Sequence, residues 1–242
     1  MTEEGSPFTQ RPAGEAFLVD PPGGSSGPGV LVLHSWWGLN EWTQDFCRRV
    51  AGLGHTVVAP DLFDGVQPAT EAEGKAVLEA SKPDDLSGLV MSSAHTLRVM
   101  TGNGANPIAV IGFSMGASLA FWVSARLPDV VDRAVCFYGT QSIDFDGANA
   151  KFQGHFGDDD HLVSEEDRVV TESFLRLGGQ ETEFHVYPGA KQWFFETGEN
   201  YNEQQAELAW ERLVPFLDRS LDSPSEFDIE KLRDHDPIDG RE

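Results

Sequence analysis

The chain has 242 residues, 40% hydrophobic and 24% charged, an ordinary balance for one α/β domain with a continuous core. Seventeen Lys and Arg against 40 Asp and Glu give a formal net charge of −23, which argues against nucleic acid and anionic membranes as partners, because both demand basic patches. The two cysteines, Cys47 and Cys136, are too few for a disulfide framework or a zinc site and read as core thiols, so neither a metal nor a cofactor is expected.

Residues 1–14 are polar and lack the basic start and apolar stretch of a signal peptide, so they read as a flexible N-terminus on a cytoplasmic protein. The domain proper is expected over residues 15–221. Residues 15–20 (EAFLVD) read as an opening strand, and 30–34 (VLVLH) as a short apolar run of the kind buried in a parallel sheet. A helix follows over 41–53, then a strand over 55–59 closed by Pro60. Helices are predicted over 69–80 and from Pro83 to about Met100, with Leu86, Leu89, Val90 and Leu97 as the apolar positions of the second. The strand PIAVIGF (107–113) runs directly into a helix over 115–127. Three more strands, 133–138, 151–156 and 183–187, alternate with helices over 164–177 and 201–221. Strands alternating with helices imply a mainly parallel sheet covered on both faces. Residues 222–242 form an acidic C-terminal tail without a clear period.

The junction at residue 114 carries the chemistry. Gly112-Phe113-Ser114-Met115-Gly116 matches G-x-S-x-G, and it ends a strand and opens a helix, as a nucleophile elbow requires. The turn is so sharp that the serine is strained and its hydroxyl stands clear of the backbone. Glycines two residues to either side allow strand and helix to approach. The helix N-terminus adds partial positive charge where an oxyanion forms. One oxyanion-hole donor is expected from the N–H of Met115, and the other from the loop His34-Ser35-Trp36-Trp37-Gly38, with Trp36 the chosen residue.

With these motifs in hand, the chain resembles the dienelactone hydrolase family. The likeness rests on VLVLHSWWGLN, HTVVAPDLFDG, VIGFSMGASLA, GHFGDDDHLV and HVYPGAKQWFFE, which together span most of residues 30–195. It implies an α/β-hydrolase fold without a large cap domain. It also implies hydrolysis of an ester or lactone through a nucleophile, an acid and a histidine. Ser114 takes the nucleophile position, where the founding members hold cysteine, and Asp160 takes that of the acid. Asp158 and Asp159 read as a solvated turn. Ser35 stands where the founding members have a glutamate.

The departure is at the histidine. After Tyr187-Pro188-Gly189-Ala190 come Lys191 and Gln192, so Gln192 occupies the triad-histidine position. An amide accepts no proton at neutral pH and can only hydrogen-bond Ser114 and Asp160. His161 is the nearest substitute base. His155 lies on the strand entering the same loop, His185 is expected to pack within its strand, and His34 to hold the oxyanion loop. Where the family binds a substrate carboxylate with arginine, this chain reads FFETGEN, with Glu196 and Glu199, which turns the expected partner toward an uncharged small-molecule ester or lactone. Trp36, Trp37, Trp193, Phe194 and Phe195 either line an aromatic pocket or belong to the core. Two functions follow: a serine hydrolase of weak activity, or a non-catalytic member that binds a small molecule.

Overall fold

The computed structural model describes residues 15–23, 27–102 and 104–222. The N-terminus over 1–14 and the acidic tail beyond Asp222 lie outside the described residues. Seven strands form one sheet: β1 (Ala16–Val19), β2 (Gly29–Leu33), β3 (Thr56–Pro60), β4 (Ile108–Phe113), β5 (Val131–Phe137), β6 (Lys151–Asp159) and β7 (Thr182–Lys191). Six α-helices connect and cover them: α1 (Glu41–Ala51), α2 (Glu71–Ala80), α3 (Pro83–Gly102), α4 (Met115–Arg126), α5 (Glu165–Leu177) and α6 (Glu203–Leu217). The strand order is β1-β3-β2-β4-β5-β6-β7, with only β1 antiparallel to its neighbour.

Why apolar runs become central strands is visible residue by residue. Side chains alternate across a sheet, so a strand buried on both faces must be apolar at every position. In β2, Leu31 and Leu33 face a core shared with Val90, Ala94 and Leu97 of α3 and with Ala117, Ala120 and Phe121 of α4. Their neighbours Val30 and Val32 face a second core with Phe46, Cys47 and Val50 of α1 and with Ala206, Ala209 and Leu213 of α6. Cys47 and Cys136 are buried free thiols, and burial pushes Cys47 up to about 12.

The strand order sets the site. From β2 the chain steps outward to β3, then crosses back to place β4 on the other side of β2. Such a reversal opens a crevice at the carboxyl ends of the two strands. Leu33 pairs with Gly112 across it, so the loop after β2 and the turn after β4 emerge side by side.

Three boundaries depart from the sequence expectation by more than two residues. The strand β6 continues through Asp158 and Asp159 rather than turning there, and β7 continues through Pro188 and Gly189 to Lys191. The two extensions support each other. Asp159 pairs with Lys191 after a register shift, and the Asp158 carboxylate accepts a hydrogen bond from the Gly189 N–H at 2.6 Å. Pro188 is tolerated because β7 is an edge strand, where a missing N–H need not break a ladder. The last helix is the opposite case. It stops at Leu217, four residues before the expected end, because the Asp218 side chain accepts from the Ser220 N–H and starts a 3₁₀ turn over Arg219–Leu221.

Gly116 shows how tightly this frame is built. A Cβ there would lie 2.2 Å from the Leu33 carbonyl oxygen and 2.7 Å from that of His34. Gly116→Ala is therefore expected to lower unfolding stability by on the order of 3 kcal/mol, since backbone on both sides must move. Chemical denaturation measures this, and an unchanged midpoint would contradict it.

Candidate active site

Ser114 links β4 to α4 with φ 53° and ψ −115°, a backbone conformation that side-chain-bearing residues rarely adopt. The turn is held from below and from both sides. The Ser114 N–H donates to the Phe137 carbonyl at 2.9 Å, and the Ser114 carbonyl accepts from Ala117 and Ser118. A Cβ on Gly112 would fall 2.1 Å from the Gly116 carbonyl oxygen, and one on Gly139 would fall 2.3 Å from that of Ser114. The last glycine was invisible in the motif, because it comes from the end of the next strand. Met115 is the first residue of α4, so its N–H has no intrahelical acceptor.

The loop after β2 approaches the same point. His34 anchors it, as its position suggested. Its Nδ1–H donates to the Ser35 carbonyl at 2.7 Å, and its Nε2 accepts from the Leu62 N–H at 2.9 Å. Burial lowers its pKa to about 4, so the ring is neutral and both nitrogens are occupied. The Trp37 and Gly38 amides turn back onto the Ser35 hydroxyl and carbonyl, at 3.3 Å each. These bonds fold the loop around Trp36.

Gln192 meets Ser114. Its Nε2 donates to the Ser114 hydroxyl at 3.1 Å and to the Tyr138 carbonyl at 3.2 Å. The Tyr138 contact fixes which end of the amide faces Ser114, because the flipped amide would set two oxygens against each other. The expected bond to Asp160 is not formed. Asp160 leaves β6 just after the Asp159–Lys191 pair, beside the point where Gln192 leaves β7. Its Oδ1 accepts from the Leu162 and Val163 amides at 2.8 and 3.0 Å. Its Oδ2 and the Gln192 Oε1 are both buried acceptors without a hydrogen-bond partner among the described residues. Burial raises the Asp160 pKa against those two amide bonds.

No described histidine makes a hydrogen bond to the Ser114 hydroxyl, whose side-chain partner is Gln192. His161 points its Nε2 to Glu71 at 3.1 Å and packs edge-on to Trp193. His155 is fully buried between the Tyr187 hydroxyl and the Gln153 side chain, stacked on Phe137, and burial holds its pKa well below the usual range. His185 lies within β7 beside Glu183.

The five aromatic residues divide between the two readings left open for them. Phe194, Phe195 and Trp193 belong to the core and Trp36 packs against it, while Trp37 and Trp193 also line a cavity of about 420 Å³.

A model of the dienelactone hydrolase family matches residues 15–221. The chain belongs to the dienelactone hydrolase family. Among its relatives, "Protein usf" of Aquifex pyrophilus is 27% identical over 206 residues, covering 81% of this chain and 89% of the relative. A protein of Saccharolobus solfataricus named "Putative carboxymethylenebutenolidase" is 26% identical over 232 residues, covering 78% of this chain and 88% of the relative. Among solved structures, a dienelactone hydrolase-like promiscuous phosphotriesterase from metagenomic libraries superposes with a TM-score of 0.71 at 20% identity, covering 84% of this chain and 97% of that one. An esterase of Thermogutta terrifontis superposes with a TM-score of 0.59 at 17% identity, covering 83% and 88%. At these identities the structures speak for the fold, which is the α/β-hydrolase sheet described above. Among the described residues, no helix is long and apolar enough to cross a membrane.

One feature of this dienelactone hydrolase-family chain was only half legible. Glu196 read as a reversed surface charge, yet it is buried, with 2% exposure. It accepts from the Ser35 hydroxyl at 2.6 Å and from the Tyr138 hydroxyl at 2.7 Å. Burial pushes its pKa up to about 7, against those two hydrogen bonds. The signal that was available is its place inside the apolar run WFFE. Tyr138 was missed altogether, because an aromatic residue ending an apolar strand reads as core. Its carbonyl holds Gln192 and its hydroxyl holds Glu196.

A carboxyl group whose folded pKa lies above its unfolded one binds its proton more tightly in the folded state. Its contribution to stability is therefore full below about 4.5 and lost as pH rises through about 7. Glu196→Gln keeps the shape and removes the titration. The variant is expected to gain stability relative to the parent between pH 5 and pH 8, by at most about 3 kcal/mol. Denaturant titrations at the two pH values check this, and parallel pH dependence would contradict it.

Proposed function

We propose that this chain is a serine hydrolase of small esters or lactones that carry no negative charge, with Ser114 as nucleophile and the N–H groups of Trp36 and Met115 as the oxyanion hole. The observation that carries the reading is the strained Ser114 turn, with φ 53°, at the end of β4. Strain of this kind costs of order 1–3 kcal/mol and persists only where the surroundings enforce it. The Ser114 hydroxyl attacks the substrate carbonyl, and a bond forms between Oγ and the acyl carbon. The bond to the leaving alkoxide breaks, and the serine proton ends on the departing alcohol. Water then cleaves the acyl–serine bond, releasing the carboxylic acid and restoring the hydroxyl.

Gln192 stabilises this cycle only in part. Its N–H donates to Ser114 Oγ and supports negative charge there, but it removes no proton. Proton transfer to a positioned base is worth about 10²–10⁴-fold, so turnover without one is slow. The charge preference rests on Glu196, whose ionised form repels an anionic substrate.

The same amide favours a second reading, a binding protein that keeps the pocket and not the chemistry. A fluorophosphonate probe separates the two. Stoichiometric labelling lost in Ser114→Ala supports the hydrolase, and an inert serine supports binding.

The buried, unpartnered Asp160 Oδ2 lies beside the point where Gln192 leaves β7, and an imidazole N–H at position 192 would give it a partner. Gln192→His is therefore expected to raise kcat on p-nitrophenyl acetate by on the order of 10²-fold or more. Lys191 is exposed, so it leaves the new ring room. Ser114→Ala in that background should abolish the gain. A folded Gln192→His protein no faster than the parent would count against the triad geometry.

A further inference from the structure

The cavity lined by Trp37 and Trp193 has a chemistry of its own. About 420 Å³ in volume, it has Trp37 and Trp193 among its walls, with ring centroids 4.9 Å apart. Three carboxylates, Glu71, Glu196 and Glu199, also line it, and no Lys or Arg does. It adjoins the reacting groups on two sides. Trp37 belongs to the oxyanion loop, and Trp193 follows Gln192, whose amide touches Ser114. Two further features point to an occupant. Trp193 is 4% exposed, and its indole N–H, buried without a hydrogen-bond partner among the described residues, is a donor for an ester oxygen rather than for a cation. Glu196 is also buried, and among the described residues no cationic side chain hydrogen-bonds it, so burial pushes its pKa up to about 7.

From this arrangement we infer that the cavity binds an organic cation, an alkylammonium group, and that the preferred substrates are esters whose alcohol portion carries that group. The inference rests on the hydrolase reading for the ester and on the cavity alone for the cation. Indole faces attract an ammonium group through their quadrupole, and the attraction grows when the group is desolvated. Glu71 and Glu199 add charge on the same wall, and Glu196 adds to it only as it ionises, when pH rises through about 7. The net charge of −23 draws cations to the surface around it. An anionic lactone would meet the opposite field.

The test has a binding arm and a catalytic arm. Full-length Ser114→Ala protein is titrated with tetramethylammonium chloride against sodium chloride at equal ionic strength, followed by tryptophan fluorescence and calorimetry. Saturable binding specific to tetramethylammonium is expected. It should weaken by roughly tenfold in Glu71→Gln/Glu199→Gln, two surface changes that leave the buried site intact. In the catalytic arm, the parent chain is given acetylcholine and its neutral isostere 3,3-dimethylbutyl acetate. The cationic ester is expected to have the higher kcat/KM by about tenfold. Absence of saturable binding overturns the inference, as does binding indifferent to the two glutamates. So does equal hydrolysis of the two esters, which would leave the hydrolase reading standing. Glutamate-dependent binding with neither ester cleaved would sustain the cation site and sink the hydrolase reading instead.

Discussion

Everything at this site depends on one turn, the reversal from β4 into α4 at Ser114. A left-handed serine is unfavourable in isolation and is held here by its neighbours. Gly112 and Gly116 let the strand and helix close on each other, and Gly139 lets the end of β5 slide beneath the serine carbonyl. The same closeness brings the N-terminus of α4 against the loop after β2. The Ser114 turn and the loop after β2 are therefore positioned by one packing event.

Positive φ angles outside glycine are few among the described residues: Asp64, Ser114, Tyr138 and Trp193. Three of the four surround the site. Ser114 presents the hydroxyl, Tyr138 turns its carbonyl toward Gln192 and its hydroxyl toward Glu196, and Trp193 redirects the chain after Gln192. Backbone strain concentrated at one place is a cost that the two apolar cores can carry, and it fixes polar atoms where free rotation would scatter them. The result is a pre-set network running from Ser35 through Glu196 and Tyr138 to Gln192 and Ser114.

Gln192 supplies a donor to Ser114, and two buried acceptors nearby lack hydrogen-bond partners among the described residues. Glu196, pushed up to about 7, is instead a group near the site that gains or loses a proton close to neutrality. Its oxygens are held by Ser35 and Tyr138, so its reach is electrostatic: it shapes the cavity's charge and stays away from the serine proton.

Much of this was written in local sequence. Fully apolar runs such as IAVIGF can only be strands buried on both faces, and G-x-S-x-G between such a run and a helix can only be a sharp turn. The sequence was silent where the answer depended on a partner distant in the chain. Asp158, Asp159, Pro188 and Gly189 have turn propensity, yet β6 and β7 pair through them because each satisfies the other's backbone. Glu196 is charged by identity and buried by position, 161 residues from the Ser35 hydroxyl that holds it. Periodicity and motif thus determined the sheet and the sharp turn at Ser114, since each is a property of neighbouring residues. Tertiary structure alone decided which face of Gln192 meets the serine and which carboxylate is desolvated, because hydrogen bonding and burial are set by what folds against a residue.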